Sequence, residues 1–206
     1  MNSSGIRSGR KRKLCAVPAA ALLITASLLL GGCGSPLESQ IAADEDGSIQ
    51  MGSSLHVSAA PEPLSLYDSK DALAADGLYY ACWTAGISTE YENEDGDTVD
   101  LFPAQVTLLC SEKKDALSAE NDLEGWQTAA LDDYAVSDTR TEEIGGQEYE
   151  IITYTMKNPD SPWEGGVSAF TTHENAAICT EITYQASFEG DPDRILLDLL
   201  RCYNYL

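Results

Sequence analysis

Apolar and polar positions along this chain repeat with two different periods, and the switches between them mark out its elements. After a basic cluster at Arg7, Arg10, Lys11, Arg12 and Lys13, the stretch Leu14–Leu30 is apolar except at Pro18, Thr25 and Ser27. Gly34–Ser48 has no sustained apolar period and is rich in small and acidic residues, which predicts a tether. Ser48–Ala59 alternates weakly, as a strand or short hairpin would. Leu78–Glu92 and Thr98–Cys110 are aromatic and β-branched. They flank Asn93-Glu94-Asp95-Gly96-Asp97, where Asp-Gly supplies the positive φ of a hairpin turn. Pro103 belongs at an edge or bulge, because it has no N–H to give to a ladder.

From Ser118 to Tyr134 the period lengthens. Leu123, Trp126, Gln127, Ala130, Leu131 and Tyr134 fall at helical spacing, with Ser118 as N-cap and acids in the first turn. Ala135–Glu143 and Gln147–Lys157 then form a second hairpin across Gly145-Gly146. A Pro/Gly loop, Asn158–Gly166, leads into strands at Val167–His173 and Ala177–Glu189. A last helix is capped by Asp191, with Pro192 at its first position and a buried stripe of Ile195, Leu196, Leu199, Leu200 and Tyr203. Strands grouped between helices, without βαβ alternation, predict an α+β fold: an antiparallel sheet flanked by helices. This layout resembles the PsbP/Mog1-like fold, an α/β/α sandwich. The likeness is carried by the helix ending at Tyr134, the Ile144-Gly145-Gly146 hairpin continuing into Glu148–Met156, and the helix after Gly190-Asp191-Pro192. It bears on the fold and implies no activity.

The N-terminus has the order of a secretory signal, basic end first and apolar segment second. As a membrane span the run is short, at the bottom of the range of about 17–25 residues, and it carries a proline. Leu30-Gly31-Gly32-Cys33 resembles the lipobox of bacterial lipoproteins, with Gly where Ala or Ser is commoner at the second position before the cysteine. The resemblance implies cleavage between Gly32 and Cys33 and a diacylglyceryl thioether on Cys33. The expected division is 1–32 signal peptide, 33–48 acidic tether and 49–206 a single α+β domain.

That division redistributes the charge. All 34 acidic residues lie beyond Cys33 and five of the 12 basic residues before it, which leaves the processed chain with seven basic residues and a net charge of −27. Such a surface repels nucleic acid and anionic headgroups, so the lipid on Cys33 is the expected membrane contact and nucleic acid is excluded as a partner. Four cysteines remain after Cys15 and Cys33 are set aside: Cys82, Cys110, Cys179 and Cys202. In an exported domain an even number predicts two disulfides. A three-residue loop at Gly96 would set Cys82 opposite Cys110, leaving Cys179 for Cys202. Four buried free thiols are the other reading. A zinc site is disfavoured by the wide spacing.

Other chemistry is sparse. His56 and His173 stand apart from any second metal ligand, and no nucleophile elbow or phosphate-binding glycine pattern occurs. The acidic tips at 44–47 and 90–97 break the EF-hand pattern and read as solvated turns. Trp163, in the loop Pro159–Gly166, is either a partner contact or a ring folded over the sheet edge. Tyr79, Tyr80, Trp83, Tyr149, Tyr154 and Tyr184 read as strand packing. No cofactor is implied. The expected function is a lipid-anchored extracytoplasmic binding or accessory module for an unidentified protein or small ligand. An extracytoplasmic enzyme with a dispersed site would instead show clustered perturbed carboxylates or histidines. A divalent-cation-binding protein would be stabilised by calcium.

Overall fold

A computed structural model describes residues 39–40, 43–67, 73–75, 77–92 and 98–206. The signal segment, Cys33 and the 93–97 tip lie outside the described residues. In chain order the elements are β1 (Ser39–Gln40), β2 (Ile49–Met51), β3 (Leu55–Val57), β4 (Ser65–Leu66), β5 (Leu73–Ala75), β6 (Leu78–Ala85), β7 (Thr89–Glu92), β8 (Thr98–Leu101) and β9 (Ala104–Glu112). There follow α1 (Ala116–Asp133), β10 (Tyr134–Ile144), β11 (Gln147–Met156), β12 (Gly165–His173), β13 (Ala176–Tyr184), α2 (Pro192–Leu200) and β14 (Tyr203–Tyr205).

The main sheet has the order β1-β5-β6-β9-β13-β12-β11-β10, with β4 also on β6. Its neighbours pair antiparallel throughout. Successive side chains on a strand point to opposite faces, and here both faces are covered. On one face Val106, Leu108, Ile178, Ile182 and Ile151 pack against α2 and a small sheet of order β14-β3-β2. On the other, Tyr80, Leu109, Cys179, Phe170 and Ile152 meet Leu123, Trp126 and Ala130 of α1. The result is an α+β sandwich, as the element order predicts.

The two helices hold on differently. In α2 the Asp191 carboxylate caps the Arg194 N–H at 3.2 Å. Ile195, Leu196, Leu199 and Leu200 are all buried, and each such side chain stabilises the packed helix by about 1.5–3 kcal/mol. Tyr203 lies beyond α2, in β14. In α1 the N-cap is Asp115, not Ser118: its carboxylate accepts from the Ser118 N–H at 2.8 Å, and the first turn holds no acid. Only Ala119 and Ala130 are fully buried there, and Leu131, expected in the stripe, is 52% exposed. Polar ties fasten α1 instead. Asp122 accepts from Ser111 Oγ at 2.9 Å and pairs with Lys113 at 2.7 Å, and Gln127 donates to Glu150 at 2.9 Å. Mid-helix Gly125 has nothing within 4 Å of the place a Cβ would occupy, so no packing demands a glycine there.

The β2–β3 hairpin is clamped by one carboxylate. Glu112 Oε1 accepts from the Ser53 N–H at 2.6 Å, Ser53 Oγ at 3.0 Å and Ser54 Oγ at 2.7 Å. Partial burial opposes ionisation of Glu112, but the bonds from Ser54 and Ser53 outweigh it and hold the carboxyl below its ordinary range. Gly52 completes the clamp, since its φ of +65° suits glycine and a side chain would overlap Glu112 and Tyr79. N-terminal to this hairpin, Ser39–Gln40 pairs with Leu73–Ala74 and Ala43 packs on the core. Ordered structure thus reaches into the segment expected to be a tether.

The expected disulfides are not formed: no bridge joins Cys82, Cys110, Cys179 or Cys202. The hairpin pairs Glu92 with Thr98, and beyond an interruption where Gly86 faces Pro103 the register sets Cys82 opposite Thr107 and Cys110 opposite Tyr79. Cys82 is therefore three residues from the assumed partner, an odd slip that turns the two sulfurs to opposite faces. Cys179 points toward α1, whereas Cys202 follows α2 and packs on the other core, so that pair is separated by the sheet. Strand β13 also ends at Tyr184, five residues short of the expected Glu189.

Two outcomes follow. Gly125→Ala should stabilise the protein by about 0.5–1 kcal/mol, read as a higher midpoint in chemical denaturation. Denatured without reductant, the protein should alkylate at all four of Cys82, Cys110, Cys179 and Cys202, and a mass showing none of the four modified would establish two bridges.

Candidate functional site

The face of the sheet under α1 carries a run of polar side chains where a core would ordinarily be aliphatic. Because β9 and β13 pair in register, Thr107 stands opposite Glu181 and Gln105 opposite Thr183. On the flanking strands Thr84 faces Gln105, and Ser168 faces Glu181. All six are buried. Isolated buried polar groups are costly, so such a layer needs internal partners.

Glu181 is its centre. Tyr154 Oη donates to Glu181 Oε1 at 2.6 Å and Ser168 Oγ to the same oxygen at 3.0 Å. Tyr134, the first residue after α1, stacks on Tyr154 with ring centroids 3.8 Å apart and planes 5° from parallel, and it also hydrogen-bonds the carboxylate. None of the ion pairs among the described residues includes Glu181. Burial raises its pKa above the ordinary value, against the pull of the bonds from Tyr154, Ser168 and Tyr134. Tyr154 is pushed up as well, by burial and then by the nearby Glu181 charge. Gly166 makes the arrangement possible: it is opposite Tyr154, and a Cβ there would overlap the Tyr154 hydroxyl. Beside Glu181 on the same face, Thr183 Oγ1 is fully buried and has no hydrogen-bond partner.

The sequence-predicted candidates lie elsewhere. Trp163 is 5% exposed, so the reading as a free partner contact is corrected. The Met156 N–H donates to the Glu164 carbonyl and the Glu164 N–H to that of Tyr184, and this continuation of the ladder turns the ring inward. Cys110, on the α2 side, has its thiol pushed by burial up to about 12. Cys179 borders the Glu181 layer and Cys82 lies on the same face, in line with Thr107. His173 has its ring 4.8 Å from Tyr205 on the opposite face, and His56 is opposite Gln50 and Asn204. At the first acidic tip, Asp46 Oδ1 accepts from Ser48 N–H and Oγ at 3.0 and 2.7 Å, so that turn closes on itself. The described residues contain no group of three or more His, Cys, Asp or Glu placed to hold a metal ion. Glu181 was missed because a Glu within a strand reads as solvent-facing. The available signal was one helix predicted for each face, which buries both sides of any central strand.

Among solved structures, the chain is similar to cyanobacterial PsbP (CyanoP) from Synechocystis sp. PCC 6803. The TM-score is 0.44 at 11% identity, over 86% of this chain and 99% of that one. A crystal structure from Bacteroides thetaiotaomicron VPI-5482 superposes with a TM-score of 0.32 at 8% identity, over 74% of this chain and 45% of the other. The chain thus spans less than half of that second protein's length. Both superpositions are loose, and the α+β arrangement stands on its own strand register. No protein-family model matches the chain, and no curated protein is similar to it.

The Glu181 geometry fixes a pH dependence. A carboxyl whose pKa is raised by folding contributes fully below the unfolded value, about 4.3, and loses that contribution as pH rises through the folded value. Glu181→Gln should therefore flatten the fall in thermal midpoint above that range and make the protein more stable at neutral pH. Glu181→Ala, which strands the Tyr154 and Ser168 hydroxyls, should cost about 1–3 kcal/mol for an unsatisfied buried group at every pH.

Proposed function

We propose that this protein is a lipid-anchored extracytoplasmic binding or accessory module, attached to its membrane through Cys33. The observation that carries the reading is Leu30-Gly31-Gly32-Cys33, placed directly after a basic cluster and an apolar segment. The charge distribution supports it, with every acid on the C-terminal side of Cys33. Among the described residues no helix is long and apolar enough to cross a membrane. A strongly acidic surface has no affinity of its own for anionic headgroups, so attachment falls to the lipid. A single acyl chain binds marginally while two or more hold stably, at about 0.8 kcal/mol per buried CH₂; a diacylglyceryl cysteine meets that requirement.

A binding role is favoured over catalysis by the make-up of the Glu181 layer. It offers a carboxylate, hydroxyls and aromatic rings for recognition, with the Tyr154 and Ser168 hydroxyls committed as donors to one Glu181 oxygen beneath a helix. Expressed in a bacterial host with an alkyne-tagged fatty acid, the wild-type protein should incorporate label and fractionate with membranes. Cys33→Ala should stay an unlabelled, uncleaved precursor. Label in the Cys33→Ala protein would remove the assignment.

A further inference from the structure

The Glu181 layer has the features of a closed ligand site. It holds a buried carboxylate with no ion-pair partner among the described residues, and two residues along the same strand face a threonine hydroxyl with no partner at all. Residues i and i+2 on one strand face lie roughly 6.5–7 Å apart. A group with several donors seated between them can bond both acceptors at about 2.7–2.9 Å when it is charged. Tyr154 and Ser168 hold one carboxylate oxygen in place, while Tyr134 and Tyr154 add stacked aromatic surface. Trp126 of α1 packs on the same cluster. A fixed carboxylate, an unsatisfied hydroxyl and aromatic rings together are the recognition chemistry of an organic ammonium ion, the rings contributing through their negative faces.

Helix α1 packs on the apolar cluster that borders that layer. The helix contributes only two fully buried side chains, both alanines, and leaves Leu117 and Leu131 exposed. Its interior carries Gly125 without steric need, a weakening of about 1 kcal/mol relative to alanine. Much of its attachment is polar and peripheral, through Asp122, Gln127 and the Lys157 ammonium on the Leu131 and Asp132 carbonyls. Such ties exchange readily with water, whereas the aliphatic stripe of α2 does not. Elements of this kind open locally at low cost.

We infer that helix α1 is the lid of a closed site in which Glu181 and Thr183 hold the ammonium head of a small primary amine. The inference rests on the reading of this protein as a binding module and names the ligand class of that module. Tyr134 links lid to site, since it is the C-cap of α1 and stacks on the tyrosine that donates to Glu181.

Thermal unfolding of the full chain, purified from membranes in detergent, tests this with methylammonium chloride as probe at fixed ionic strength. Sodium chloride and tetramethylammonium chloride, the second a cation without N–H donors, are the comparisons. Methylammonium should raise the midpoint in a saturable manner and the other two should not. Glu181→Gln should weaken the apparent affinity roughly tenfold or more, by loss of a charge-assisted bond, and the isosteric Thr183→Val should weaken it by a smaller factor. Hydrogen exchange over 116–133 should slow when methylammonium is bound. Equal midpoints in all three salts, a response to sodium as large as to methylammonium, or an undiminished response in Glu181→Gln would each overturn the site. Binding without slower exchange in 116–133 would overturn the lid. Lipid labelling at Cys33 is read separately, so a missing amine response with intact labelling refutes the ligand and leaves the anchor standing.

Discussion

The constraint on which the rest of this structure depends is the pairing of β9 with β13 at the middle of a sheet covered on both sides. Neither strand has a solvent face, so every residue from Ala104 to Ser111 and from Ala176 to Thr183 is buried. Alternation then sorts residues between two interiors and no longer between core and water. One interior receives Val106, Leu108, Ile178 and Ile182; the other receives Gln105, Thr107, Glu181 and Thr183. A slip of one residue would exchange the two sets. It would drive Glu181 into the largely aliphatic layer beneath α2, away from the Tyr154 and Ser168 hydroxyls that bond it.

The two interiors support two kinds of cover. The aliphatic one accepts α2 and the β14-β3-β2 sheet through close apolar packing, fastened at the edge by Glu112 on Ser53 and Ser54. The polar one accepts α1 through a smaller apolar patch and peripheral polar ties. Polar burial at Glu181 lowers stability relative to an aliphatic layer, and natural sequences retain such a cost mainly where function uses it. The same layer explains a glycine and a tyrosine pair that packing alone would not require. Gly166 leaves room for the Tyr154 hydroxyl, and Tyr134 is held flat on Tyr154 at the point where the chain leaves α1.

Elements whose local chemistry and burial agree were legible in the sequence. Asp191, Pro192 and the Ile195–Leu200 stripe define α2 unaided, and Gly145-Gly146 sets a hairpin whose register runs from Ile144 opposite Gln147 to Tyr134 opposite Met156, shifted at Val136/Asp138. The misreadings have one source, which is that tertiary context overrode a local rule. Leu131 has helical spacing but faces water, because α1 meets the sheet through Ala119, Leu123, Trp126 and Ala130 and Leu131 lies off that face. The cysteine pairing depended on an assumed turn length and an uninterrupted strand; the hairpin register and the break at Gly86 and Pro103 moved it by an odd count. Trp163 sat among prolines and acids, as an exposed ring would, yet the ladder bonds of Glu164 draw it inward. Glu181 was hidden because acids within strands ordinarily mark solvent. Only the second helix turns that position into an interior one.

Surface and interior electrostatics then act in one direction. A chain that carries −27 beyond Cys33 attracts cations and repels anions over a distance of about 8 Å at physiological ionic strength. The outer surface of α1, with Glu120, Glu124 and Asp132 exposed, places part of that field over the helix that closes the Glu181 layer. Such a field raises the local concentration of small cations before any specific contact forms. It also opposes ionisation of a carboxylate already disfavoured by burial, so a bound cation relieves both penalties together. An acidic surface alone would be solubility. An acidic surface over a buried carboxylate with no ion-pair partner among the described residues is the arrangement on which the proposed selectivity for a cationic ligand rests.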